Sequence, residues 1–205
     1  MANEKKIGKY GVSELTFAKI KDNIIEGEKV VVPGTTEVQQ EITIENSTLP
    51  ADDGPYLAVS SGISEAKLTI NNYDISSAAK AILYDVTATK GIEIYGKNLI
   101  PNDVAVSYKT KTTAGESIYV GMLKGKFTLP GLHSQTAGDG APKPETDQIE
   151  GTFVSRTVGG EDVVYLIGRG DDPEFDLETF MKMVFPVTAE DAVIPGATTT
   201  PAPQA

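Results

Sequence analysis

The chain has no cysteine, no tryptophan and a single histidine. The first absence excludes disulfides, thiol nucleophiles and zinc–thiolate sites. His133 stands alone, which excludes a multi-histidine metal centre. Ser134 adjoins it in sequence, but a catalytic triad depends on geometry rather than adjacency, and no serine, acid and glycine arrangement surrounds it. Long apolar runs are missing too, so nothing approaches the roughly 20 residues of a membrane-spanning helix. The start, MANEKKIGKY, carries charges with no apolar stretch behind them and does not read as a secretory signal; synthesis in a cytoplasm is expected. Positive charge is scarce: 18 Lys and Arg stand against 29 Asp and Glu, a net charge of −11. A protein that grips DNA displaces counterions with a basic stripe. This balance argues against such a grip, though not against a surface past which DNA slides.

What is present is mostly β. A length of 205 residues predicts one domain with a real core. Its centre is 36–86. Val38, Gln40, Ile42 and Ile44 alternate with Glu37, Gln39, Glu41, Thr43 and Glu45, a strand with one apolar face. A second strand sets Ala66, Leu68 and Ile70 against Lys67 and Thr69. Between them a loop of about 15 residues is expected, longer than ordinary hairpin connections. A helix follows, with Asp74 as N-cap and Ile75, Ala78, Ala79, Ile82, Leu83 and Val86 as its buried stripe.

Before this unit, 11–20 and 29–32 read as strands. After it come a short strand at Gly91–Tyr95, a longer one at Asp103–Lys111, and Ser117–Leu129 with Gly121 and Gly125 inside it. Glycine within a strand implies a bulge or a close backbone approach. The stretch 130–148 is rich in Gly and Pro and reads as a surface loop. Ile149–Thr157 and Asp162–Ile167 read as a hairpin around Val158-Gly159-Gly160. Asp176 caps a second helix with the stripe Leu177, Phe180, Met181, Val184 and Phe185, which Pro186 stops. The main domain is therefore expected over 1–186, with 187–205 a flexible polar tail. The fold class is mainly β: a sandwich or barrel with a flanking helix and a short C-terminal one.

No active site assembles. Asp171, Asp172, Glu174 and Asp176 lack the spacing and the glycine of an EF-hand loop and read as acidic residues at a helix N-terminus. Asp52-Asp53-Gly54-Pro55 reads as a turn. Gly168-Arg169-Gly170 is too short for a phosphate loop. Lys124 and Lys126 read as solvated charges on one strand face, and the tyrosines are scattered rather than grouped into a base-stacking platform. No cofactor or metal is expected.

The ordered set KYGVSELTFAKI, PGTTEV, ADDGPY, DISSAAKAILYD, GMLKGKFTLPG, IEGTFVSR and DDPEFDLETFMKMVF resembles the major tail, or tail tube, proteins of phages with long non-contractile tails that infect Gram-positive bacteria. The resemblance covers about 8–185. It implies a β-sandwich or barrel with a flanking helix, similar to type VI secretion tube proteins. It also implies a homo-oligomer of hexameric rings stacked into a tube around a tape-measure protein. A tail terminator and a distal tail protein would be further partners, and double-stranded DNA would pass through without specific binding. The protein would reside in the virion tail. On this pattern Glu37, Gln39, Glu41, Thr43 and Glu45 face the lumen. The first hairpin's loop, with Asn46, Leu49, Asp52, Asp53, Pro55, Tyr56 and Leu57, reaches the neighbouring ring. An alternative from another class is a β-sandwich module that binds a receptor or glycan, for which the chain has no tryptophan to offer.

Overall fold

The computed structural model describes residues 8–51, 54–131 and 144–191. Strand β1 (Lys9–Lys21) turns through Asp22 and Asn23, both at positive φ, into β2 (Ile24–Ile25); β3 (Val30–Val31) lies on the same edge of β1. Two long strands, β4 (Thr35–Ala51) and β5 (Gly54–Asn72), lead to helix α1 (Ser77–Tyr84). Then come β6 (Val104–Thr112), β7 (Ser117–Phe127), β8 (Asp147–Phe153), the short pair β9 (Arg156–Val158) and β10 (Glu161–Val163), and β11 (Tyr165–Arg169). Helix α2 (Leu177–Val184) and a 3-10 turn at Ala189–Asp191 end the described chain. The fold is mainly β and antiparallel, as expected, with the ladder order β2-β1-β6-β7-β8-β5-β4.

Strand β7 divides the ladder. Ile118–Met122 pair with β11, whereas Gly125–Phe127 pair with β8 on the same side. Beyond that fork the β8-β5-β4 ladder separates from β11, and two layers form. Period-two alternation on β1, β6 and β7 sends Phe17, Val104, Val106 and Met122 to one face, where they meet Leu68 and Ile70 of β5 and Leu83 of α1. Ala18, Ile20, Ala105 and Leu123 go to the other face and pack on Phe180 and Val184 of α2. Phe127 meets Phe17 and Phe153 edge-on, at 5.5 and 5.7 Å between ring centroids. The result is a β-sandwich with α2 outside it.

Four local expectations change. The cap of α1 is Ser76, whose hydroxyl accepts from Ala79 N; the Asp74 N–H instead donates to Asn72 Oδ1 at 2.9 Å. Ile75, Ala79, Leu83 and Val86 are buried but Ala78 is exposed, because a helix this short turns only part of the stripe inward. Gly91–Tyr95 is not a strand: a single bridge, Thr89 to Ile92, closes a turn in which Lys90 and Gly91 take positive φ. The hairpin around Gly159-Gly160 is real but short, joining β9 to β10, while β8 and β11 pair elsewhere with β5 and β7.

The largest change is at 46–61. The expected loop is a continuation of the hairpin, with β4 and β5 paired, through several register shifts, out to Ala51 and Gly54. Past Ile42 no third strand pairs with these two among the described residues, and every residue from Thr43 to Thr48 is exposed. Without a core to face, nothing selects for apolar alternation, so the paired arm reads as loop. Asn72, fully buried, holds the base of the hairpin: its amide donates to Pro33 O and Thr35 Oγ1, each at 3.0 Å. At the other end of the chain, Asp191 accepts from the backbone N–H of Val187 and Thr188, so ordered structure continues past Pro186.

Candidate assembly surfaces

Strands β4, β5 and β8 present one outward face. Glu37, Gln39, Glu41 and Thr43 are all exposed and lie across from Asn71, Thr69, Lys67 and Glu65; these are followed on β8 by Gln148, Glu150 and Thr152. Val38 and Ile42 lie half-buried on the reverse side against the core. The alternation breaks at register shifts on either side of Ile44. Ile44 is therefore 52% exposed instead of core-facing, and Glu45 falls within the second shift, between Ile44 and Asn46. The face is acidic but not uniformly so. Glu37 accepts from the Asn71 amide at 3.0 Å. Lys67, in ion contact with Glu65 at 2.8 Å, stands opposite Glu41, and the Glu65 hydrogen bond holds its pKa above the ordinary lysine value. Lys67 and Glu150 belong to this face by the same period-two rule applied to β5 and β8.

The second surface is the arm. Asn46 pairs with Ser60, Ser47 with Val59, Thr48 with Ala58 and Leu49 with Leu57. Leu57 and Val59 are 50% and 44% exposed, as is Ile63 at 41%. Pro50 and Pro55 pair next to the tip, at a register shift, where a missing N–H costs the ladder least. Tyr56 lies within β5; Asp52 and Asp53 lie outside the described residues. An antiparallel pair this long, with apolar side chains in water and no cover, is stable only marginally by itself and is suited to lie against another chain. β4 is also the last strand of the ladder, and an open edge can accept a strand.

Sequence reading missed a third feature, the connection between α1 and β6. It has no regular element, yet it is tied down. The Glu93 carboxylate accepts from Ser77 Oγ at 2.6 Å, Tyr95 Oη at 2.7 Å and Lys80 Nζ at 3.0 Å; these bonds hold its pKa down at about 2. Asn102 anchors the far end on the carbonyls of Ile82 and Leu83. Only the carboxylate chemistry of Glu93 was visible beforehand, not its three donors, which come from 2 to 16 residues away.

The remaining candidates have structural employment. Asp172 accepts from Glu174 N, and Asp176 accepts from Glu178 N and Thr179 N as the cap of α2, as expected. Among the described residues no cluster of His, Asp and Glu could hold a metal, and no helix is long and apolar enough to cross a membrane. His133 lies outside the described residues. Gly121 and Gly125 answer the close-approach expectation: Val184 sits where a Cβ on Gly121 would be, and Phe153 where one on Gly125 would be; Gly168 has the same kind of contact with Phe175.

No curated protein matches the chain. A family model for phage tail tube proteins matches residues 54–193, well over half of the 205 residues. The match opens at the turn of the arm and takes in every later strand and both helices. An acidic sandwich with an exposed arm fits a structural role in a virion tail. The chain belongs to the phage tail tube protein family.

Proposed function

We propose that this chain forms hexameric rings that stack head to tail into the tube of a long non-contractile phage tail. The tube assembles around a tape-measure protein, ends at a terminator and a distal tail protein, and conducts double-stranded DNA. Synthesis in the host cytoplasm precedes incorporation into the virion. The single observation that carries the reading is the arm, paired out to Ala51 and Gly54, with every described side chain beyond Ile42 and before Ala66 exposed. Burial of Leu57, Val59 and Ile63 against a neighbouring ring would supply roughly 1.5–3 kcal/mol per fully buried side chain, repeated around each ring. The outward face of Glu37, Gln39, Glu41 and Thr43 is assigned to the bore.

Replacing Leu49–Leu57 with a short Gly/Ser turn tests this. Leu57 is 50% exposed, and loop length costs little stability. The variant is expected to fold with a normal melting curve and to form no stacked tubes under negative-stain microscopy. Tubes of wild-type length from the variant would remove the arm from the contact between rings.

A further inference from the structure

Stacking identical rings head to tail is a heterologous contact, in which one surface of a subunit meets a different surface of the next. An arm that reaches out at one end therefore needs a receiver at the other. The strand register says where that end is. Ala66 of β5 lies beside Phe153, and Asn72 lies beside Asp147. Walking from Ala66 towards Gly54 leads out along the arm; residues 54–65 span roughly 40 Å at about 3.3 Å each. Walking the other way leads to Asn72 and Asp147. There Glu93 and Tyr95 line a shallow cavity together with Asp147, Leu129 and Pro130.

Around that cavity the α1–β6 connection exposes Ile92 by 64% and Ile94 by 74%, with Leu129 at 45%. These residues do not sit on a slack loop. The bonds from Ser77, Lys80 and Tyr95 to Glu93 fix the segment between the two isoleucines. A surface ordered before contact loses little entropy on binding. Charge points the same way. Residues 43–65 contain Glu45, Asp52, Asp53 and Glu65 and no Lys or Arg. In 87–101 the one acid, Glu93, is already paired with Lys80, and Lys90 and Lys97 are exposed.

We propose that the α1–β6 connection, through Ile92, Ile94, Lys90 and Lys97, is the surface that receives the apolar, acidic β4–β5 arm of a second copy of this chain. The assignment rests on the head-to-tail stacking reading above and names its other half. The apolar residues supply affinity, and the lysines set register and encounter rate in a salt-dependent manner.

The test compares three purified proteins with the wild type. Ile92→Asp with Ile94→Asp changes exposed positions, so a wild-type melting curve is expected along with at least a tenfold rise in the concentration needed for tube formation. Lys90→Glu with Lys97→Glu should raise that concentration several-fold at low salt and less at high salt. Because the chain has no cysteine, Val59→Cys with Ile94→Cys introduces an unambiguous pair; oxidised tubes of this variant should run as a ladder of covalent multimers. Wild-type assembly by both charge variants, or normal tubes without a ladder, overturns the assignment. The arm replacement separates the two readings. If it abolishes tubes while the Asp and Glu variants polymerise normally, the receiver is wrong and stacking through the arm stands. If the arm replacement polymerises normally, stacking through the arm is itself wrong.

Discussion

Arg156 is 1% exposed and has no carboxylate within bonding distance among the described residues. Its guanidinium donates to Leu123 O and Val184 O, each at 3.1 Å, and to Met183 O. Two of these are carbonyls of the last turn of α2, where the helix dipole favours a cation. Burial pulls its pKa down to about 10, still protonated at neutral pH, and its Nε is left without a partner. One side chain thus joins β7, β9 and the end of α2. Arg156→Ala strands those acceptors at about 1–3 kcal/mol each and opens a void, so a loss of about 3 kcal/mol or more is expected in urea unfolding. A loss under about 0.5 kcal/mol would show that α2 docks without it. Glu93 makes a pH prediction. Its carboxyl is held below the ordinary carboxylate value, first by Ser77 and then by Tyr95 and Lys80. Its contribution is therefore complete above about pH 4–5, where an unfolded glutamate ionises, and is lost as pH falls towards about 2. Protection from hydrogen exchange in 87–103, corrected for the intrinsic exchange rate at each pH, should fall over that window, and Glu93→Gln should make the protection pH-independent there. Unchanged acid sensitivity in the variant would assign the effect to another group.

The elements are set by close approaches as much as by stripes. α2 lies on β7 and β11 at two glycines, with Val184 over Gly121, and Phe175 and Phe180 over Gly168. Any side chain there meets a packed residue. Gly121→Ala should cost about 1–3 kcal/mol by overpacking and shift α2 outward. Gly96→Ala, with nothing within 4 Å of its added Cβ, should stay within about 0.5 kcal/mol. Thermal melts of the pair give the comparison, and equal melting temperatures would mean that α2 moves aside freely. The two helices also show what amphipathic period can and cannot say. The α2 stripe Phe180, Val184 and Phe185 is buried as spacing predicts, but Leu177, in the first turn, is 40% exposed.

For the proposed assembly the question is how an acidic chain would let DNA pass. On the proposed arrangement the face of Glu37, Glu41, Glu65 and Glu150, tempered by Lys67, turns to the bore. Fixed negative charge repels phosphates weakly everywhere and leaves no binding minimum, and at physiological salt it acts only within about 8 Å. Reversed charge would brake: at about 1 kcal/mol per contact in water, six subunits per ring over many rings sum to strong retention. Glu37→Lys with Glu41→Lys should assemble normally, since both are exposed, and should slow DNA ejection in vitro more at low salt than at high. Normal ejection at low salt through intact tubes would place these glutamates elsewhere than the bore.

The sequence by itself determined the mainly β class, the strands with one buried face, the cap at Asp176, the stripe of α2 and the outward set Glu37 to Thr43. Each of these follows from local chemistry: period-two alternation against a core, or a side chain that bonds its own helix end. The ordered segments also pointed to the tail tube family before any fold was known. Tertiary structure alone decided the rest. The arm was unreadable because strands that pair with each other and leave their described side chains exposed carry no apolar period, and its tip holds two prolines. Ile44 left its predicted face because a register shift is a property of two strands, not one. Arg156 and Glu93 were invisible as hubs because their partners lie up to 33 residues away and converge only when β7, β9, α1 and α2 have packed.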